Sequence, residues 1–364
     1  VLGAVVLAAQ LAMLVFGRPT LAGHDGAVPR AVKLHAVGDL RVEETDGPAA
    51  PTAGWSTVAV TSVGLCGSDL HWYAEGGTGE VSIGAPVVPG HEFAGVALDG
   101  PYAGRRVAVD PAILCGECET CRRGDANLCP DIRFAGHQEL DGALQDVLLW
   151  PDELLFPLPD GLRDDAGALL EPLGVAIHAV KHAHVRPGDD VLVVGAGPIG
   201  VLAVAVARRA GAARVFVSEP LEHRRRTAVR FGADAAWAPD QVEDELMAMT
   251  VGRGVDAVVE MAGTDDAIAT AVACARPGAR VALGGIPSTP RSSFPAAAAR
   301  RKGLTFTMVR RMHDTYAQAI ELATTGIDLD DLVSDRFPLE RSAEAFEHAV
   351  GRTGDKTIIV VSSS

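Results

Sequence analysis

Residues 191–220 read VLVVGAGPIGVLAVAVARRAGAARVFVSEP. Val191 to Val194 is a continuous apolar run, the pattern of a strand buried on both faces. Gly195, Gly197 and Gly200 follow as G-x-G-x-x-G, then an alanine-rich segment of helical length, then a second apolar run ending at Glu219. In such a unit the first glycine makes the tight turn, the second lets the backbone approach a pyrophosphate, and the third lets the helix pack on the strand. The helix N-terminus offers unpaired N–H groups and a partial positive charge to the phosphates. An acid about 20 residues further on accepts bonds from a ribose 2′-OH and repels a 2′-phosphate, which favours NAD over NADP. The arginines after Glu219 pull the other way. A helix-packing turn with no ligand is the alternative, and it accounts for fewer of these parts.

Outward from this unit the alternation continues. DAVVEMAG and ARVALGGIP read as further apolar strands between alanine-rich helices, which implies a parallel sheet covered on both faces. Upstream the character differs. AVKLHAVGDLRVEE, WSTVAVTSVGLCGSD, EFAGVALDG, RRVAVDPAI and LQDVLLW are short segments punctuated by Gly and Pro, the pattern of a β-rich, barrel-like domain up to about residue 170. Between the two, DAGALLEPLGVAIHAVKHAHV reads as helix, with Pro172 near a boundary or kink. TYAQAIELATTG reads as a late helix and DKTIIVVS as a final strand that returns to the first domain.

Cys115, Cys118, Cys121 and Cys129 are spaced C-x2-C-x2-C-x7-C. That is too tight for disulfides between separate elements and suits one tetrahedral zinc held by four thiolates. Cys274 reads as a buried core thiol. Six cysteines in 364 residues do not make a secreted disulfide framework and fit a reducing compartment, so a cytoplasmic location is expected. The net charge of −15 argues against a nucleic-acid backbone as partner. Arg224, Arg225 and Arg226 form the main local basic run, readable as a solvated helix face or a binding element. Val1 to Phe16 is nearly all apolar, but it is short of the roughly 20 residues of a spanning helix, and no basic segment precedes it. It reads as part of an N-terminal extension, with no membrane partner, ahead of a domain beginning near Arg30. A weak export signal is the alternative.

Two further segments carry candidate ligands: Cys66 in GLCGSDLHW and His91-Glu92 in VPGHEFAG. Each is weak alone. Together, ahead of the cysteine cluster and the glycine turn, they suggest a second zinc site, with Glu171 in LLEPLGV as a further candidate. A catalytic zinc uses three protein ligands and keeps one position open. Cys66, His91 and a carboxylate would supply the three.

The order LCGSDLH, PGHE, the cysteine cluster, ALLEPLGV and VGAGPIG resembles the zinc-dependent medium-chain alcohol dehydrogenases, closest to their sorbitol, or polyol, branch. The resemblance runs from about Arg30 to Val361. It implies a GroES-like β-barrel catalytic domain with an inserted Rossmann-type, doubly wound parallel-sheet domain. The expected division is an extension over 1–29, poorly ordered, a catalytic domain over 30–180 with a zinc lobe at about 112–132, an NAD-binding domain over 181–308, and a return to the catalytic domain over 309–364. It further implies two zincs per chain, with Cys66, His91 and Glu92 holding the catalytic one and Glu171 binding its water or exchanging with it. Ser68 matches the hydroxyl beside the substrate oxygen and His71 the outer end of the proton relay. Ile199 and Arg224 match cofactor contacts, and Gly285 and Ile286 match backbone beside the nicotinamide.

Arg311 matches the arginine of a Phe-Arg-Tyr substrate motif that reads Arg310-Arg311-Met312 here, and Trp72 replaces a tyrosine. Both departures touch the expected substrate pocket and leave the chemistry alone. The expected activity is NAD-dependent oxidation of a polyol or secondary alcohol. The alternatives are butanediol, sugar-acid (idonate-type) or threonine oxidation, or a nicotinamide-binding relative without catalysis. A homodimer or homotetramer is implied.

Overall fold

The computed structural model describes residues 28–362 apart from 79–80, 83–85 and 138–139. The apolar segment Val1 to Phe16 lies outside the described residues. Two sheets organise the remainder. The first is antiparallel except at one edge. Its path runs Leu155–Pro157, Arg106–Val109, Glu92–Ala97, Trp55–Gly64, Lys356–Val360, Val333–Pro338, and Val147–Pro151 also pairs with Trp55–Gly64. Its long strand, WSTVAVTSVG, is buried over nearly its whole length because other elements cover both faces. The strand Lys356–Val360 sets Ile358 opposite Gly64 and Ile359 opposite Val63. The last described strand therefore completes a sheet begun some 300 residues earlier.

The second sheet has six parallel strands in the order Ala235–Trp237, Arg214–Ser218, Asp190–Val194, Val255–Glu260, Ala275–Leu283, Thr305–Met308. Numbered along the chain within this sheet, the order is 3-2-1-4-5-6, that of a dinucleotide-binding fold. The apolar run of Val191 to Val194 is the central strand and is fully buried, which is why it carries no alternation. Ligands bind such sheets where the strand order reverses, at the carboxyl ends of Asp190–Val194 and Val255–Glu260.

Helix Leu170–His182 joins the two bodies. Leu170, Leu173, Ile177 and Val180 recur at helical spacing, are buried, and pack in one core with Val201, Leu202 and Val204 of helix Pro198–Arg209. Each such side chain contributes roughly 1.5–3 kcal/mol of burial. Pro172 falls in the first turn of this helix, where its missing N–H costs nothing. Tyr316, heading helix Tyr316–Thr325, donates its hydroxyl to the carbonyl of Val109 at 2.7 Å and stacks on Phe156, tying that helix to the first sheet. Cys274 ends helix Asp265–Cys274 and is wholly buried; burial pushes its thiol pKa up to about 12, so it is an inert core group.

Candidate active site

The strand Trp55–Gly64 delivers the chain to Cys66, the N-cap of helix Gly67–Glu75. Asp69 in the first turn accepts the Cys66 N–H at 3.0 Å through Oδ2 and the Gly90 N–H at 3.3 Å through Oδ1. The same Oδ1 lies 3.5 Å from His91 Nδ1. Burial opposes ionisation of Asp69, but the His91 charge and these hydrogen bonds outweigh it and hold the carboxyl below its usual range. One buried carboxylate thus fixes both the backbone at Cys66 and the orientation of the His91 ring. His91 Nε2 faces the site, with Ser68 Oγ 3.5 Å away.

The donor atoms of Cys66, His91 and Glu92 lie within 4.8 Å of one another. Thiol, imidazole and carboxylate are zinc ligands, with bonds of about 2.0–2.3 Å, so a single centre needs only a small closure of this cluster. An imidazole oriented through its other nitrogen by a carboxylate is the usual support of such a ligand. Burial alone would lower the His91 pKa, but Asp69 and Cys66 outweigh it and hold the ring well above its ordinary value.

Glu92 is also buried against Lys356, whose Nζ pairs with Glu92 Oε2 and donates to the Leu65 carbonyl at 2.8 Å. Gly64 makes room for this pair: a Cβ there would stand 2.3 Å from Glu92 Oε2. Glu171 stands outside the three-residue cluster but close enough to feel it. Burial raises its carboxyl to about 8, with Glu92 and Asp110 reinforcing and His91 and Lys356 opposing. Without a metal it is protonated at neutral pH.

Around the cluster the side chains divide. His71 is half-buried and pairs with Glu75, Nδ1 to Oε1 at 3.0 Å. Trp72 is buried in the core, edge-on to His137 with ring centroids 5.0 Å apart. Arg311 lays its guanidinium over the Phe134 ring at 3.8 Å, and that ring lies 5.2 Å from His91. Arg310, the other arginine of the pair, is exposed and pairs with no acid among the described residues. The basic run also splits. Arg226 pairs with Glu222, Arg225 caps the carbonyls of Glu219 and Pro220, and Arg224 is half-buried.

The four clustered cysteines are unbridged. Their recorded Sγ–Sγ separations are 3.9 Å for Cys115 to Cys121, 3.8 Å for Cys118 to Cys129 and 3.5 Å for Cys129 to Cys115. Sulfurs at the corners of a tetrahedron with metal–sulfur bonds of about 2.3 Å stand about 3.8 Å apart. The lobe matches that spacing.

At the glycine turn, Gly195 has φ 89° and a Cβ there would meet the Ala262 N at 2.9 Å, while a Cβ on Gly200 would meet the Gly195 carbonyl at 1.9 Å. Gly197 differs: the nearest atom to a Cβ there is Arg224 Nη1 at 3.8 Å, so its outer face is open. Gly197 is the N-cap of helix Pro198–Arg209 and supplies no side-chain cap, which leaves the first N–H groups to an anion. Glu219 is buried at the next strand end and accepts from Ala196 N at 2.7 Å and Leu221 N at 3.0 Å. Ile199 and Gly285 are half-buried, and Ile286 is half-exposed. Gly285 closely approaches Gly263, where a Cβ would meet an amide nitrogen at 2.1 Å.

Asp69, Lys356, Phe134 and His137 were missed in the sequence. Asp69 carried a usable signal, an acid three residues after the N-cap. Lys356 carried none, since it lies 264 residues from its partner.

Comparison with known proteins adds a second line. Residues 52–160 match the alcohol dehydrogenase GroES-like domain and residues 198–325 the zinc-binding dehydrogenase family. The chain is 34% identical to a sorbitol dehydrogenase of Bacillus subtilis over 302 residues, 80% of this chain and 86% of that one. It is 35% identical to a probable D-xylulose reductase A of Neosartorya fischeri over 316 residues, 83% of this chain and 88% of that one. Among solved structures it resembles L-idonate 5-dehydrogenase of Escherichia coli with a TM-score of 0.83 and 26% identity, over 92% of this chain and 98% of that one.

Proposed function

The chain belongs to the zinc-dependent medium-chain alcohol dehydrogenase family, on its polyol branch, and we propose that it oxidises a secondary hydroxyl of a small polyol with NAD⁺ as hydride acceptor. It is an oxidoreductase acting on CH–OH groups. The observation that carries the reading is the convergence of Cys66, His91 and Glu92, with donor atoms within 4.8 Å of one another. These residues would hold a zinc, which supplies Lewis-acid polarisation of the substrate oxygen. The four-cysteine lobe would hold a second. The nicotinamide supplies the hydride-accepting carbon.

The protein's own part is positioning and proton handling. Asp69 keeps His91 Nδ1 engaged, so that Nε2 faces the site. Ser68 Oγ, beside that nitrogen, takes the substrate hydroxyl proton while releasing its own hydroxyl proton outward. His71, half-exposed and paired with Glu75, passes it to solvent. Glu171, buried near His91 and Glu92, would exchange with the ligands, giving up its proton as it binds. Lys356 neutralises Glu92 and keeps a charged carboxylate tolerable in the dry interior. Trp72, Phe134 and Arg311 wall the substrate side. Gly195, Gly197, Ile199, Gly200, Glu219, Arg224, Gly285 and Ile286 form the cofactor side. The preference for NAD is supported by the buried Glu219 carboxylate, which accepts from a 2′-OH and repels a 2′-phosphate.

A second reading, a sugar acid as substrate, is favoured by one observation: Arg311 Nη1 is buried with no hydrogen-bond partner. A buried cationic nitrogen of that kind gains from an anion.

The test is NADH formation by zinc-loaded protein on sorbitol, xylitol, 2,3-butanediol, threonine and a sugar acid, with NAD⁺ and NADP⁺ in parallel. Turnover of sorbitol or xylitol with NAD⁺ is the expected result. Turnover confined to the sugar acid selects the second reading. Absence of turnover across the panel, with two zincs bound, counts against both.

A further inference from the structure

The four-cysteine lobe lies between two short paired strands, Ala112–Ile113 and Arg133–Phe134. The second of these delivers Phe134, whose ring lies under the Arg311 guanidinium and has its centroid 5.2 Å from that of His91. Inside the lobe, between Cys121 and Cys129, the short turn Ala126–Leu128 carries Asn127. Asn127 is buried, and its Nδ2 donates to the backbone carbonyl of Arg310 at 2.9 Å, across 183 residues of chain. The Arg310–Met312 segment is thus touched twice from this region, by the ring of the closing strand beneath the guanidinium and by the lobe's Asn127 amide on the Arg310 carbonyl.

The segment needs holding. Arg311 has φ 54°, a left-handed conformation that costs a non-glycine residue roughly 1–3 kcal/mol and persists only where the surroundings impose it. One anchor lies after it: Met312 is buried, with its sulfur 2.5 Å from where a Cβ of Gly174 would stand, so its side chain fills the notch left by that glycine. The other lies before it, at the Arg310 carbonyl. Asn127 is the side chain seen to grip that carbonyl.

We propose that Asn127 is a positioning residue for substrate specificity: by holding the Arg310 carbonyl, it sets where the Arg311 guanidinium stands over Phe134, the ring that neighbours the metal-site histidine. The cysteine lobe then has a part in substrate binding beyond its contribution to stability. This rests on the reading of Arg311 as a substrate-facing residue made above, and the test separates the two.

The experiment is a double-mutant cycle on the zinc-loaded full chain, with steady-state kinetics on sorbitol and xylitol. Asn127→Asp keeps the side-chain shape and removes the donor; Asn127→Ala removes the side chain. Zinc content and melting temperature are measured for each. Loss of one hydrogen bond predicts a rise in polyol KM of about five-fold, with kcat and the KM for NAD⁺ held within about two-fold on the same grounds. Arg311→Ala should raise polyol KM at least as far, and adding Asn127→Asp to it should change nothing more. The proposal is overturned if Asn127→Asp leaves polyol KM unchanged while Arg311→Ala raises it, or if its effect is the same with and without Arg311. It is also overturned if both Asn127 variants lose the lobe's zinc, since the residue would then be structural. If Arg311→Ala itself leaves polyol KM unchanged, the substrate role of Arg311 fails first and the proposal falls with it.

Discussion

At the scale of single residues, chemistry in this chain depends on side chains held by neighbours in space more than by neighbours in sequence. Cys66 is set by the end of a strand and the start of a helix, and Asp69 fixes both it and His91. Cys66→Ser should abolish turnover and lower zinc content by one per chain while far-UV circular dichroism stays unchanged; turnover surviving in that variant would contradict the catalytic assignment. Glu219 accepts from Ala196 N in the glycine turn and from Leu221 N, and in the proposed function it also receives the cofactor ribose. Removing a charged acceptor of this kind costs about 1.5–3 kcal/mol, or roughly ten- to a hundred-fold in affinity. Glu219→Ala should therefore weaken NAD⁺ binding by about that factor and narrow its margin over NADP⁺, as read by cofactor titration. An unchanged ratio of the two cofactors would remove Glu219 from that role.

At the scale of elements, helix Leu170–His182 links the surroundings of the Cys66–His91–Glu92 cluster, through Glu171 at its start, to the body of the molecule. Lower down the same helix, His178 and His182 face each other one turn apart, with Nε2 atoms 3.0 Å apart. Burial, helped by His182, His313 and Lys181, lowers the His178 pKa from 6.5 to about 4. The unfolded chain therefore takes up this proton near pH 6.5 and the folded chain only near pH 4, so stability falls as pH drops through that window. His178→Gln should flatten the dependence of melting temperature on pH between those limits. A slope equal to that of the parent would show that the helix carries no such penalty. The elements themselves were largely readable. Apolar runs, glycine turns and helical spacing are local signals, and the central strand of the parallel sheet announced itself as an unbroken apolar run because both its faces are covered. The arginine run was less so. Its three members have one local pattern and three different surroundings, which spacing does not distinguish.

At the scale of the whole molecule, the site is closed by chain returning from far away. Lys356, on a strand paired with Trp55–Gly64, brings the counter-charge that Glu92 lacks locally. Breaking a buried ion pair by removing one partner costs about 3–5 kcal/mol, because the other charge stays buried. Lys356→Met should destabilise the metal-free chain by about that amount in urea titration, and Glu92→Leu added to it should restore part of the loss. No recovery in the double variant would mean that the lysine acts mainly through the Leu65 carbonyl. Among the described residues no helix is long and apolar enough to cross a membrane. The sequence by itself determined the parallel-sheet unit and the cysteine lobe, because tight turns and thiolate spacing are constraints over a few residues; it offered Cys66 and His91 as candidate ligands, but left the third open between Glu92 and Glu171. Only the tertiary structure decided that Asp69 steadies His91, that Glu171 stands outside the three-donor cluster, that Arg311 rather than Arg310 lies over Phe134, and that Lys356 and Asn127 reach across 264 and 183 residues to their partners. Such contacts follow from which buried charge or strained backbone needs a partner once the chain has closed, and no local pattern encodes that.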